Sequence, residues 1–124
     1  MALVKRFEDL IAWQEARKLN QQNYALTSSP VFAKDFEFKA QIRGAGLSGM
    51  TNIAEGFDCD SKIEFARFLG IARRSIVEVQ SLLYAALDVG YISQAQLDVY
   101  YAQANKAKGI IGALKSSLTK LRDT

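Results

Sequence analysis

Two stretches of the sequence repeat apolar residues at alternating steps of four and three, the spacing of a heptad seam along a helix. In the first stretch the repeating residues are Phe65, Leu69, Ala72, Ile76, Val79, Leu83 and Ala86. In the second they are Leu97, Tyr100, Ala104, Ala107, Ile111, Leu114, Leu118 and Leu121. A helix of about 28 residues is ~42 Å long, and sustained heptads favour packing near +20°. The two stretches therefore predict two long, closely packed helices.

The polar residues at the ends of these stretches predict their limits. Ser61 with Glu64, and Ser93 with Gln96, have the spacing of capping boxes, and Gly90 stands where a left-handed helix cap is usual. We therefore expect the third and fourth helices at residues 61–89 and 93–122.

The first half of the chain predicts two more helices, at residues 7–27 and 34–56. They are separated at Pro30, which cannot continue a helix. The polar run 20–23 predicts shallow burial late in the first helix, and Val31, Phe32 and Phe36 are expected to cover one end of the molecule. We predict an all-α, antiparallel up-down-up-down four-helix bundle forming one domain over residues 1–124. A long two-stranded coiled coil is the alternative.

Residues 41–57 keep helical spacing of apolar residues although they include four glycines, Gly44, Gly46, Gly49 and Gly56. Each glycine costs about 1 kcal/mol relative to alanine inside a helix. One interpretation is close helix packing with a helix stop at Gly56; the other is backbone contact with a ligand or partner.

The third helix has a second, partly apolar stripe beside its heptad seam. This stripe contains Phe68, Ile71, Ser75 and Leu82. So wide an apolar arc predicts contact with more than one neighbour, and it also argues for self-association.

The sequence contains no histidine, which removes most enzyme classes. A di-iron bundle needs Glu-x-x-His pairs, and Cys59 would lack an imidazole base. We expect no catalytic residue, metal or cofactor. The single cysteine fits a reducing compartment, and no apolar stretch approaches the ~18 residues of a membrane span. The expected location is cytoplasmic, without membrane contact.

Four polar residues are expected to serve the structure: Arg43, Asn52, Glu55 and Glu78. Glu55 and Glu78 lie among small and apolar residues, so we expect them inside or at the edge of the core, paired with arginines such as Arg43, Arg73 or Arg74. Their role would be to fix helix register. General acid and base catalysis by the two glutamates is the alternative, and it would need a cleft.

The charge of +3 is unevenly distributed. Residues 101–122 contain five basic side chains and no acid, and the first helix could add more if it lies beside the fourth. The predicted nucleic-acid-binding residues are Arg17, Lys18, Lys106, Lys108, Lys115, Lys120 and Arg122. Such a face suits RNA or DNA backbone contacts of weak sequence selectivity. The alternative is a protein-interaction scaffold whose lysines only keep it soluble.

Several segments in order resemble the 23S rRNA intervening-sequence proteins, also called S23 proteins. These segments are 7–10, 13–16, 41–43 with Ser48, 52–57, 64–65, 68–69, 71–72, Ser75 with Glu78, and 90–92. The chain is also similar to the accessory variability protein of diversity-generating retroelements, a basic pentameric barrel that binds nucleic acid and a reverse transcriptase. The resemblance implies a four-helix bundle without catalysis, assembled as a homo-oligomer of five chains.

Overall fold

The computed structural model describes residues 3–123, with side chains described up to Lys120. Its four helices are α1 (Ile11–Thr27), α2 (Phe36–Asp58), α3 (Lys62–Asp88) and α4 (Gln94–Asp123). No strand occurs within residues 3–123. The main contacts join α1 to α2, α2 to α3, α3 to α4, and α4 back to α1. This arrangement confirms the predicted all-α four-helix bundle.

The core is built largely from the heptad positions of α3. Leu69, Ala72, Ile76, Val79, Leu83 and Ala86 are all completely buried. The middle of the α4 heptad, Ala104, Ala107 and Ile111, is equally buried. Among the residues facing them from α1 and α2 are Leu19, Ile42 and Ile53. Burial of such side chains is the main favourable term in folding, so the two heptads supply much of the bundle's stability.

The helix limits agree with the prediction to within one residue except at the start of α1 and at both ends of α2. Residues Phe7–Asp9 form a separate 3-10 turn, and Leu10 is extended between this turn and α1. The Phe7 ring packs edge-on against Trp13, with ring centroids 5.1 Å apart. The break at Pro30 is present, but only Phe32 is buried there, because Val31 and Phe36 point to solvent.

The predicted caps of α3 and α4 are mostly formed. Ser93 and Gln96 make both hydrogen bonds of a capping box, whereas the Ser61 hydroxyl accepts from the Glu64 amide and the Glu64 carboxylate pairs with Arg67. At the end of α3, Gly90 has φ +80°. Two amides here donate hydrogen bonds back to carbonyls of α3: Gly90 N donates to Leu87 O, and Tyr91 N donates to Ala86 O. These two bonds form a Schellman motif, which explains the glycine.

One end of the bundle is closed by a link between the α3–α4 connection and the start of α2. The Asp35 carboxylate accepts from the Phe38 amide at 3.1 Å and from the Tyr91 hydroxyl at 2.7 Å. The Tyr91 ring also packs on Phe32 and Phe38. The hydrogen bond to Asp35, with burial and the carboxylate charge, raises the pKa of Tyr91. The phenol therefore keeps its proton, and this hydrogen bond, throughout the neutral range.

The glycines of α2 are explained by close packing at three of four positions. A Cβ added at Gly56 would lie 2.6 Å from the Phe68 Cβ, and one at Gly49 would lie 3.2 Å from Ile76 Cγ1. The helix continues past Gly56 to Asp58, so the predicted stop at Gly56 is wrong. Gly44 is different, because no side chain or neighbouring helix in the described part of the chain lies within 4 Å of its Cβ position.

Gly46 also explains an unexpected burial in α1. The polar run 20–23 was expected to be shallow, yet Asn23 is completely buried. A Cβ at Gly46 would lie only 2.5 Å from Asn23 Nδ2 and 3.2 Å from Asn20 Oδ1. The missing side chain on α2 therefore makes room for two amides of α1, and Asn23 Nδ2 donates to the Ile42 carbonyl at 3.3 Å.

The second stripe of α3 packs against α2 within the same chain. Phe68 lies over Gly56, and the hydroxyls of Ser75 and Ser48 are 2.8 Å apart. Ile71 and Leu82 are half-buried. The prediction that α3 contacts two neighbours is confirmed. The stripe itself no longer argues for self-association, because α2 covers it.

Candidate nucleic-acid interface

The structure distributes the predicted basic residues over two sides of α4. Lys106 lies on the α1 side, where its ammonium group is 3.5 Å from the Glu15 carboxylate. A hydrogen bond from Gln103, helped by the charges of Lys106 and Lys18, lowers the pKa of Glu15 although burial opposes the shift. This side of the bundle is therefore a mixed-charge contact between α1 and α4.

Of the other predicted residues, Arg17 and Lys18 are both exposed on α1. Arg17 stacks over the Trp13 ring, with its guanidinium carbon 5.5 Å from the ring centroid. Lys120 is exposed near the end of α4. The side chain of Arg122 lies outside the described part of the chain. Lys106 and Lys18 both lie near the Glu15 carboxylate where α1 and α4 meet, so the side that these helices share is not wholly basic, and its role in nucleic-acid binding stays a prediction.

A different basic surface runs along the contact between α3 and α4. We call it the α3–α4 seam. Its residues are Gly70, Arg73, Val77, Gln80 and Tyr84 on α3, with Tyr101, Asn105, Lys108, Gly112 and Lys115 on α4. Both sets step by three and four along their helices. Because the helices are antiparallel, the seam is a nearly straight line on the surface of the bundle.

Glycines let the cations of the seam lie across the opposite helix. The Lys115 side chain passes over Gly70, with Cε 3.4 Å and Nζ 3.7 Å from the Cβ position of that glycine. In the reverse direction, Arg73 passes over Gly112, with Nε 3.6 Å from its Cβ position. An Arg74 nitrogen lies 4.0 Å from the Gly70 Cβ position. Each of the two helices therefore places a basic side chain over a glycine of the other.

Amide groups hold the middle of the seam. Gln80 Nε2 donates to Asn105 Oδ1 at 2.8 Å, and Lys108 Nζ donates to Gln80 Oε1 at 3.1 Å. Gln80 is only 4% exposed, so its amide is fixed by these bonds. The Lys108 ammonium group is thereby held beside α3 by a neutral amide oxygen.

The cations of the seam are Arg73, Lys108 and Lys115, and we count Arg74 with them because its side chain reaches the seam beside Gly70. Within residues 3–120 the ion pairs at 4.0 Å or less join Arg6 to Glu8, Arg67 to Glu64, and Lys106 to Glu15. No cation of the seam takes part in them. Four basic side chains thus share a surface without a neutralising carboxylate, which is the arrangement that anionic phosphates require.

Two residues of this surface, Arg73 and Arg74, were expected to pair with buried glutamates instead. That expectation is wrong, because Glu55 and Glu78 are both exposed. Each follows a fully buried isoleucine, Ile53 or Ile76, by two positions, and a helix turns about 200° over two residues. This rotation was readable from the sequence, and it directs both carboxylates away from the core.

The other two predicted structural residues are half-buried and hydrogen-bonded. Arg43 Nε donates to Thr27 Oγ1 at 2.8 Å, and its guanidinium carbon lies 4.5 Å from the centroid of the Tyr24 ring. Asn52 Nδ2 donates to the carbonyl and hydroxyl oxygens of Ser48, both at 2.9 Å. Arg43 therefore joins α1 to α2 through a hydroxyl and an aromatic ring, with no carboxylate.

Other kinds of site find little support in the described residues. No group of three or more His, Cys, Asp or Glu side chains is placed to hold a metal ion within that part of the chain. None of the helices described combines the length and apolarity that crossing a bilayer would need. The thiol of Cys59 is free and half-buried, and it donates to the Glu55 carbonyl at 3.5 Å.

Fold and surface together define a small antiparallel four-helix bundle with a basic seam between two of its helices. The model of the 23S rRNA-intervening sequence protein family matches residues 8–113, and the chain belongs to that family. A comparison with curated proteins gave no match.

The fold is also seen in a solved structure. It is similar to the 1.70 Å crystal structure of a protein of unknown function from the S23 ribosomal protein family of Bacteroides thetaiotaomicron VPI-5482. The TM-score is 0.78 and the sequence identity 19%, over 85% of this chain and 98% of the other. At this identity the similarity supports the bundle architecture alone.

Proposed function

We propose that this protein is a non-catalytic, self-associating helical bundle that binds the phosphate backbone of RNA or DNA. The observation that supports binding is the α3–α4 seam, where Arg73, Arg74, Lys108 and Lys115 have no carboxylate partner within residues 3–120. Four cations on one surface repel one another, and bound phosphates would remove that repulsion.

The seam suits backbone contacts better than base recognition. Its cations are long side chains spread along a line, with no bidentate amide directed outward to read a base edge, because the Gln80 and Asn105 amides bond each other. The absence of histidine from the sequence leaves a basic surface without the usual acid–base groups of nucleases. Binding of weak sequence selectivity, without cleavage, follows.

Binding should fall steeply with salt, since each phosphate contact releases counterions. We expect the logarithm of the association constant to fall by about 2–3.5 per tenfold rise in salt for three to four contacts. Fluorescence anisotropy with labelled RNA and DNA between about 50 and 200 mM salt measures this slope. The variant Arg73→Gln/Lys108→Gln/Lys115→Gln should lose affinity by a similar factor for unrelated sequences. Its salt slope should become shallower by about one unit per lost contact.

A matched variant distinguishes the effect of losing the seam cations from the effect of a lower net charge. Lys5, Lys34 and Lys62 are exposed and lie outside the seam, so their triple change to glutamine removes the same charge. It should leave most of the affinity. If wild-type protein free of carried-over nucleic acid fails to shift RNA or DNA at low salt, the binding proposal is wrong and a protein-interaction scaffold takes its place.

Self-association is supported by an uncharged strip on α2. The strip consists of Ala40, Gly44, Leu47 and Thr51, all exposed. Gly44 costs about 1 kcal/mol in helix propensity, and among the described residues no atom beyond its own stretch of helix backbone lies within 4 Å of its Cβ position. A second copy of this chain can use that space. Contacts between like-charged seams would be repulsive, whereas the α2 strip carries no charge.

The expected mass in light scattering at micromolar concentration is a multiple of the 13.8 kDa chain, and the family resemblance implies five copies. Thr51→Arg would place a charge in the strip and should reduce the mass, because an unpaired charge is costly to bury. Ala113→Arg adds the same charge to an exposed position of α4 and should not. A monomer mass for the wild type contradicts self-association.

A further inference from the structure

We propose that the α3–α4 seam accommodates one strand of nucleic acid and stacks one of its bases on Tyr84, so that single strands bind in preference to duplexes. This inference rests on the proposed function and adds the kind of nucleic acid to it. The seam presents cations at one end and an aromatic ring at the other, which is the combination that single-strand binding proteins use.

Tyr84 is a large ring that the fold leaves exposed in a fixed position. Its side chain is 49% exposed although it lies on the helix that supplies most of the core. The Tyr101 ring meets it edge-on, with centroids 5.7 Å apart and planes at 72°. Tyr101 is half-buried and thus braces the ring of Tyr84 from one side. A braced, exposed ring is a platform for stacking that loses little entropy on binding.

The distance between the ring and the cations matches a short strand. Gly70 and Tyr84 are fourteen positions apart, which is about 21 Å along α3. A stacked single strand advances about 3.4 Å per nucleotide, so about six nucleotides cover this length. Lys115, Arg73 and Lys108 occur in that order toward Tyr84, each about one helical turn from the next along the seam.

Asp88 marks the end of this run. It is exposed and lies one turn beyond Tyr84 on the same helix, where its carboxylate would repel a further phosphate. The strand is therefore expected to end or turn away at the tyrosine pair, which favours insertion of a base there. Glu78 lies one turn from Arg74, but it is not paired with it within 4.0 Å.

A duplex fits the seam less well. The cations form a single line where two antiparallel helices meet, so they follow one backbone and offer nothing to the second strand. Base stacking on Tyr84 requires a base that is not already paired and stacked, and opening a duplex adds an energetic cost. We therefore expect about 5- to 100-fold tighter binding of a single strand than of the matching duplex, from the loss of one stacked base.

The test compares a mixed-sequence DNA strand of about 20 nucleotides with the same strand annealed to its complement, a length that exceeds a site of about six. Tyr84→Leu keeps an apolar side chain but removes the ring, and it should weaken single-strand binding about 5- to 100-fold without changing the salt slope or duplex binding. Tyr84→Phe keeps the ring and should bind like the wild type. Circular dichroism checks that each variant is folded.

The outcomes separate the two proposals. Equal affinity for single strand and duplex, with Tyr84→Leu unchanged, would overturn the single-strand inference while leaving salt-dependent backbone binding in place. A loss of affinity in Tyr84→Phe equal to that in Tyr84→Leu would also overturn it, because the hydroxyl and not the ring would then be responsible. Failure of both probes to bind at low salt would overturn the proposed function as well.

Discussion

Replacing Ile76 by alanine is expected to lower the free energy of unfolding by about 2–5 kcal/mol, the largest effect we predict for a single substitution. Ile76 is completely buried in the α3 heptad. The change removes apolar contacts and leaves a cavity between α2 and α3 that the close-packed helices cannot fill by moving. Urea unfolding followed by circular dichroism, at one protein concentration for all variants, measures the loss.

A second substitution tests whether the cavity lies where the structure places it. A Cβ at Gly49 would stand 3.2 Å from Ile76 Cγ1 and 3.7 Å from its Cδ1. Gly49→Ala alone should therefore gain little, because the helix propensity of alanine is offset by crowding. In the Ile76→Ala background the same methyl group should fill part of the cavity and restore stability. Strictly additive effects would contradict the packing of Gly49 on Ile76.

Gly56→Ala and Gly44→Ala are expected to change stability in opposite directions, although both put alanine for glycine in α2. At Gly56 the new Cβ would lie 2.6 Å from the Phe68 Cβ and 3.0 Å from a Phe65 ring carbon. The Phe68 Cβ is fixed to the α3 backbone, so the helices must separate. Overpacking of this kind costs about 1–3 kcal/mol, partly offset by helix propensity, and we expect a net loss of about 2 kcal/mol.

At Gly44 no side chain or other helix of residues 3–120 lies within 4 Å of the added methyl group. In the Thr51→Arg background, where the proposed contact with a second copy is disrupted, alanine should therefore stabilise the helix by about 0.5–1 kcal/mol, since it restricts the unfolded chain and has the better propensity. Thermal or urea unfolding of the pair gives both values under the same conditions. Two changes of the same sign would contradict the separation of α2 glycines into packed and exposed positions.

Much of the fold could be predicted from the sequence because its main signal is periodic. The heptads of α3 and α4 identify the buried face without reference to any partner, and Leu69, Ile76 and Ile111 are indeed completely buried. The caps at Ser93 and Gly90 are local features, in which a side chain or a left-handed residue closes its own helix end. Periodicity and local hydrogen bonding are properties of a segment alone.

Less of the candidate site could be predicted, because it depends on which helix faces meet. Lys106 and Lys108 are two positions apart on α4, yet one pairs with Glu15 of α1 and the other with Gln80 of α3. Counting charges along α4 treats the two lysines as equivalent. Only the packing of α4 between α1 and α3 assigns them to different surfaces.

The sequence by itself determined four helices, the heptad cores of α3 and α4 and most helix ends, because backbone hydrogen bonds and apolar periodicity act within a segment. The tertiary structure decided which polar groups share a surface. Arg73 and Lys115 lie across Gly112 and Gly70 because the antiparallel register of α3 and α4 sets these residues opposite one another. Register is fixed by interlocking side chains from two helices, and neither helix carries that information alone.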